Sequence, residues 1–179
     1  VLTYNFLPSV LRKHLGPALL ATARAFSLMF GVSALLGPEA ALNSIAYVNI
    51  MCYALYYLFI SRMAQHEEDG MPATRGLSFI VMAYLTPTLL LAQDEYYLAL
   101  IPAIIIFIAF AARRPWQQRN QYWTPAIVQA QTRSSLCMSP FVLGLCLLAS
   151  NSSGNHLFAL ISFAVVAITV TLAKRFAPE

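Results

Sequence analysis

The segment AIIIFIAFAA (103–112) is apolar at every position. A strand with one wet face alternates every second residue, and a helix with one wet face turns polar every third or fourth. A run with no such interruption reads as a helix that faces hydrocarbon. Similar runs recur along the chain, and the whole of it is 59% hydrophobic and only 10% charged. Soluble domains carry about 45–50% apolar and about 25% charged residues. Barrel strands, which alternate apolar and polar over ~10 residues, do not fit these runs. The expectation is an all-α fold: a polytopic integral membrane helical bundle of about six transmembrane helices, since continuous apolar stretches near ~20 residues read as spans. The spans fall at roughly 15–36, 41–60, 77–92, 98–112, 135–149 and 157–173, within a single transmembrane domain, 1–179.

Gly37-Pro38 stops the first span, because Pro cannot continue a helix and Gly tolerates the turn. Polar loops follow the second and fourth spans, and QDEYY (93–97) and NSSGNH (151–156) turn the chain elsewhere. The cations sort with these connections. Arg12 and Lys13, Arg62 and Arg75, Arg113 through Arg133, and Lys174 with Arg175 fall on one side, and Glu39, Asp94 and Glu95 on the other. By the positive-inside rule both termini and both long loops are cytoplasmic, and the spans form three hairpins. This reading implies a bacterial inner (cytoplasmic) membrane and a lipid bilayer as first partner. The hairpins echo one another (TAR, ATR and QTR near their starts), as any chain obeying that rule will. No cleavable signal pattern precedes the first run, and the chain begins at Val1 without an initiator residue.

The longest polar interruption is RRPWQQRNQYWTPAIVQAQTR (113–133). Trp116, Trp123, Ile127 and Ala130 recur at helical spacing, and Thr124-Pro125 suits a cap and first turn. Trp and Arg are the usual anchors of protein interfaces, so Trp116, Arg119 and Trp123 are the candidate contacts, either to an interfacial lipid layer or to a protein partner in the membrane or at the cytoplasmic face. The belt is longer than the ~2–8 residues that join helices in bundles, which favours the partner. Aromatics among arginines also suit nucleic acid, but one short loop is thin support and no nucleic acid is expected.

Arg24 is the one cation inside a span, ~13 Å along its axis at the helical rise. The second span returns antiparallel, and the same depth counted back from Arg62 falls on Tyr53. Asn49, Tyr53 and Tyr56 share a helix face. Arg24, Asn49, Tyr53 and Tyr56 therefore form a candidate ligand-binding set for an anion or small polar group; the competing reading is a snorkelling arginine. LTPT (85–88), Pro102 and Pro140 permit bends.

Other chemistry finds little purchase. Cys52, Cys137 and Cys146 lie in apolar runs without a CxxC spacing, and His14, His66 and His156 sit at polar edges. HEED (66–69) reads as a solvated loop. HExxH, GxSxG and phosphate-loop motifs do not occur. No metal, no cofactor and no enzymatic activity is expected. The function expected is a non-catalytic membrane-embedded subunit of a larger membrane complex for transport, export or signalling, docking partners through its cytoplasmic loops. The alternatives are a stand-alone transporter of an anion or small polar solute and a membrane sensor domain; a sensor ending at Glu179 would lack an effector and would need a partner.

Overall fold

A computed structural model of the chain describes residues 9–37, 39, 44–91, 101–149 and 153–176. Its elements are α1 (Ser9–Leu36), α2 (Ser44–Ala64), β1 (Met71–Pro72), α3 (Ala73–Leu91), α4 (Ile101–Gln117), β2 (Tyr122–Trp123), α5 (Pro125–Cys137), α6 (Ser139–Ala149) and α7 (Ser153–Phe176). Most of the described residues are helical. The turn expected at 93–97 lies outside them.

Helix boundaries follow local chemistry. Gly37 ends α1 with φ +91°, a left-handed conformation cheap only for glycine, and its N–H closes onto the Ser33 carbonyl at 3.0 Å. Thr124 precedes α5 in an extended conformation with Pro125 in the first turn, but its side chain makes no capping hydrogen bond. The apolar run expected as one span over 135–149 is two helices meeting at Met138. Pro140 lacks the N–H that would bond back one turn, and Met138 turns the chain onto the Ser135 carbonyl at 2.9 Å.

The bilayer expectation is corrected here. Among the described residues, no helix is long and apolar enough to cross a membrane. A span needs about 20 consecutive apolar residues. α4 has 17 residues and ends in Arg113, Arg114 and Pro115. α5 and α6 have 13 and 11 residues, and α3 has 19 with Arg75 in its first turn. The longer helices carry polar groups: Arg12, Lys13 and Arg24 in α1, Asn49, four tyrosines and Arg62 in α2, and Asn155, His156, Lys174 and Arg175 at the two ends of α7. Length and apolar character do not coincide in one element. The polytopic transmembrane helical bundle and the inner-membrane localisation expected from the sequence are corrected with it.

The helices instead pack around α2. It touches α1, α3, α5 and α6, while α4 lies on α3 and α7 on α6. Cys52, Tyr56, Ile60 and Met63 recur at helical spacing on α2 and are fully buried. They meet Ile80, Ala83 and Tyr84 of α3, Val128 of α5, and Val142 and Cys146 of α6 in one cluster. On α6, Gly144 leaves room for the Phe163 ring of α7, which lies 5.3 Å from the Phe141 ring. The outer faces of α1 and α7 stay apolar: Phe30 is 77% exposed and Leu160 64%, with Phe26, Ile161 and Ile168 beside them. Hydroxyls on these helices bond back to their own backbone, Thr22 to Ala18 O and Thr169 to Val165 O, each at 2.7 Å.

Candidate functional site

Two polar connections far apart in sequence are knit into one platform. β1 pairs antiparallel with β2, Met71 opposite Trp123 and Pro72 opposite Tyr122. Trp123 is fully buried, and its indole Nε1 donates to the Gln118 carbonyl at 3.2 Å. Two glycines make space for it. Any Cβ on Gly76 would run into the Trp123 ring, and one on Gly70 would meet the Trp123 carbonyl. Gly70 also holds φ +73°, the left-handed turn that lets the 62–75 loop close. Tyr122 points outward and donates to the Asp69 carbonyl at 3.2 Å, tying the acidic loop to the belt.

The platform presents Trp116, 58% exposed, and Tyr122, 60% exposed. The Arg119 guanidinium stacks 5.0 Å from the Trp116 ring centroid, a cation–π contact, and its Nη1 also reaches the Trp116 carbonyl at 3.4 Å. The three belt residues singled out in sequence therefore divide. Trp116 and Arg119 form a surface pair, whereas Trp123 is the plug that holds the platform together. The helical spacing expected for Trp116, Trp123, Ile127 and Ala130 is not realised, because Trp116 closes α4, Trp123 lies in β2 and only the last two belong to α5. The residues that sequence reasoning missed are Gly70, Gly76 and Tyr122. Gly76 in the first turn of a helix, where alanine would be the better helix former, was the available signal.

The tyrosine set is divided as well. Arg24 is exposed on α1 with its guanidinium 5.2 Å from the Tyr57 ring centroid. Tyr57, one turn after Tyr53, was not among the sequence candidates, although its i+4 spacing made it readable. The Tyr53 hydroxyl reaches that of Tyr57 at 3.5 Å, and Asn49 is buried one turn earlier. Tyr56 faces the other way: its hydroxyl donates to the Ser135 carbonyl of α5, and its ring meets Tyr57 and Tyr84 edge-on at 5.7 and 5.5 Å. Arg24, Tyr53 and Tyr57 thus share an outer edge of the α1–α2 pair, while Tyr56, Tyr84 and Ser135 form an inner polar knot.

Burial raises the pKa of Tyr53, with Tyr57 adding to the rise and Arg24 partly opposing it. Burial also lifts Tyr56 and Tyr84 above the ordinary tyrosine value. The Cys52 thiol is pushed up to about 11 by burial, and burial raises Cys146 too, with Cys52 adding to the effect. Both are protonated at neutral pH, which makes them poor nucleophiles. Among the described residues no three His, Cys, Asp or Glu side chains converge as metal ligands would.

Thr132 is buried in α5, and its hydroxyl has no hydrogen-bond partner among the described residues. Replacing an unpaired buried hydroxyl with a methyl of the same shape removes a desolvation cost of ~1–3 kcal/mol. Thr132→Val is therefore expected to leave the thermal midpoint unchanged or to raise it, read by circular dichroism.

No protein-family model, no curated protein and no solved structure matches this chain.

Proposed function

We propose that the protein is a non-catalytic helical subunit of a larger assembly, and that it docks its partner through the platform built by loops 62–75 and 113–133. The observation that carries this reading is the preorganised Trp116–Arg119 pair. The indole is 58% exposed and held by a guanidinium stacked at 5.0 Å, on a base that the buried Trp123 fastens to β1 and α3. A large aromatic and an arginine fixed in place before binding lose little conformational freedom on docking, and such residues dominate measured interface energies. The apolar outer faces of α1 and α7 support the same reading, since contiguous exposed apolar surface marks an interaction site.

The test isolates the tagged full chain from its native source under mild conditions and identifies co-eluting chains. Trp116→Ala is expected to weaken the partner's retention by about 30-fold or more, the equivalent of ~2 kcal/mol for an interface anchor. Helix content and thermal midpoint should stay at the parent values, because the side chain is exposed. A chain that elutes alone at every step, or a partner retained equally by Trp116→Ala, would remove the reading.

A further inference from the structure

We infer that the platform is self-complementary and that the partner it fits is a second copy of this chain, docked through the same face; this rests on the docking reading above. The β1–β2 pairing brings an acidic stretch alongside an arginine-rich one. Residues 67–69 of the 62–75 loop bring Glu67, Glu68 and Asp69, the last two exposed, between Arg62 and the exposed Arg75 at the ends of that loop, and the belt brings Arg113, Arg114 and Arg119, all exposed. The Tyr122 hydroxyl on the Asp69 carbonyl fixes the junction between them. Among the described residues none of Glu67, Glu68, Asp69 and these three belt arginines is held in an ion pair.

A two-fold interface joins one patch to itself, so that residue i of one copy meets residue j of the other and the reverse. A patch with an acidic half and a basic half satisfies that rule: each acidic loop faces the partner's arginines, twice per dimer. A foreign acidic segment would satisfy the arginines alone and leave Glu68 and Asp69 facing like charge, and a nucleic acid would meet them as repulsion. Tyr122, exposed at the junction, and Trp116, exposed beside Arg119, supply the apolar contact that charge pairs alone do not.

Charge exchange tests this on the purified full chain, with mass read by sedimentation or native mass spectrometry over a concentration series. The parent is expected to dimerise, and to do so at least tenfold more weakly when salt is raised from about 0.05 M to about 0.5 M, as screening of exposed charges requires. The pair Glu68→Arg with Asp69→Arg makes the face predominantly basic, and the pair Arg114→Glu with Arg119→Glu makes it predominantly acidic. Each double variant alone is expected to be monomeric with parental helix content. Mixed one to one they are expected to restore the dimer, because both contacts of the mixed pair are again opposite in sign. A parent that stays monomeric at all concentrations overturns the inference, and so do double variants that dimerise as the parent does. If the parent is monomeric yet loses a different co-purifying chain on Trp116→Ala, the self-docking inference fails and the docking reading stands. If neither a second copy nor another chain is ever bound, both fail.

Discussion

Trp123→Ala is expected to lower the unfolding free energy by about 3–5 kcal/mol, the usual cost of truncating a fully buried aromatic. Domains are held by only about 5–15 kcal/mol in all, so the variant should lie near the edge of folding. The reason is positional. Trp123 is fully buried, its backbone pairs with Met71, its indole is bonded to the Gln118 carbonyl at 3.2 Å, and its ring occupies the space that a Cβ on Gly76 would take. Gly76→Ala should therefore also destabilise, although alanine is the better helix former by about 1 kcal/mol. With the ring gone the collision is gone, so Gly76→Ala in the Trp123→Ala background should be neutral or stabilising. That non-additivity is the signature of two side chains in contact, and urea unfolding followed by far-UV circular dichroism measures it. Additive effects of the two changes would mean that Trp123 does not fill the space over α3.

Helix positions were legible because apolar runs and their Gly-Pro and polar interruptions mark where backbone can stay helical. α1, α2 and α7 each lie over a run read from the sequence, as do α3 and α4 with earlier or later ends. What such runs do not encode is the solvent on their outer side. An uninterrupted run is equally compatible with a protein core and with hydrocarbon, and the excess of apolar residues over 179 positions tipped the reading to a bilayer. The break at Met138 is readable from Pro140, which cannot donate the hydrogen bond that would continue the helix. The platform was not readable, because β1 and β2 are two-residue strands paired across fifty intervening positions, and so short a ladder leaves no periodic trace. Trp123 and Trp116 are chemically alike and seven residues apart; only the presence of Gly70 and Gly76 elsewhere in the chain decides that one is buried and the other exposed. The tyrosine face was legible at Asn49, Tyr53 and Tyr56 as a helical stripe, but three residues cover a wide arc of a helix. Tyr53 therefore lies between Arg24 of α1 and Ser139 of α6, while Tyr56 turns to α3 and α5.

Raising the pH above 10 is expected to unfold the protein cooperatively, through the tyrosines of α2 and α3. Tyr53, Tyr56 and Tyr84 all have folded-state pKa values raised above the ordinary 10.0, with burial the leading cause in each. Below pH 10 the phenols are neutral in both states and their full contribution to stability is present. Above it the unfolded chain loses these protons while the folded chain keeps them. Unfolding then releases protons, and stability falls as pH rises toward the folded-state values. Each group contributes about 1.4 kcal/mol per pH unit, so the three tyrosines add about 4 kcal/mol per unit to what the Cys52 and Cys146 thiols, also raised by burial, contribute, enough to exhaust an ordinary domain within two or three units. Tyrosinate absorbance of these residues and loss of helical circular dichroism should rise together in one transition. Tyrosinate forming near pH 10 with the helices intact would show that the knot is open to solvent. Tyr56→Phe separates the knot from general alkaline damage. It deletes one of the tyrosine protons and the bond to the Ser135 carbonyl, so at neutral pH it should cost ~1 kcal/mol, while the alkaline slope should fall by about 1.4 kcal/mol per pH unit.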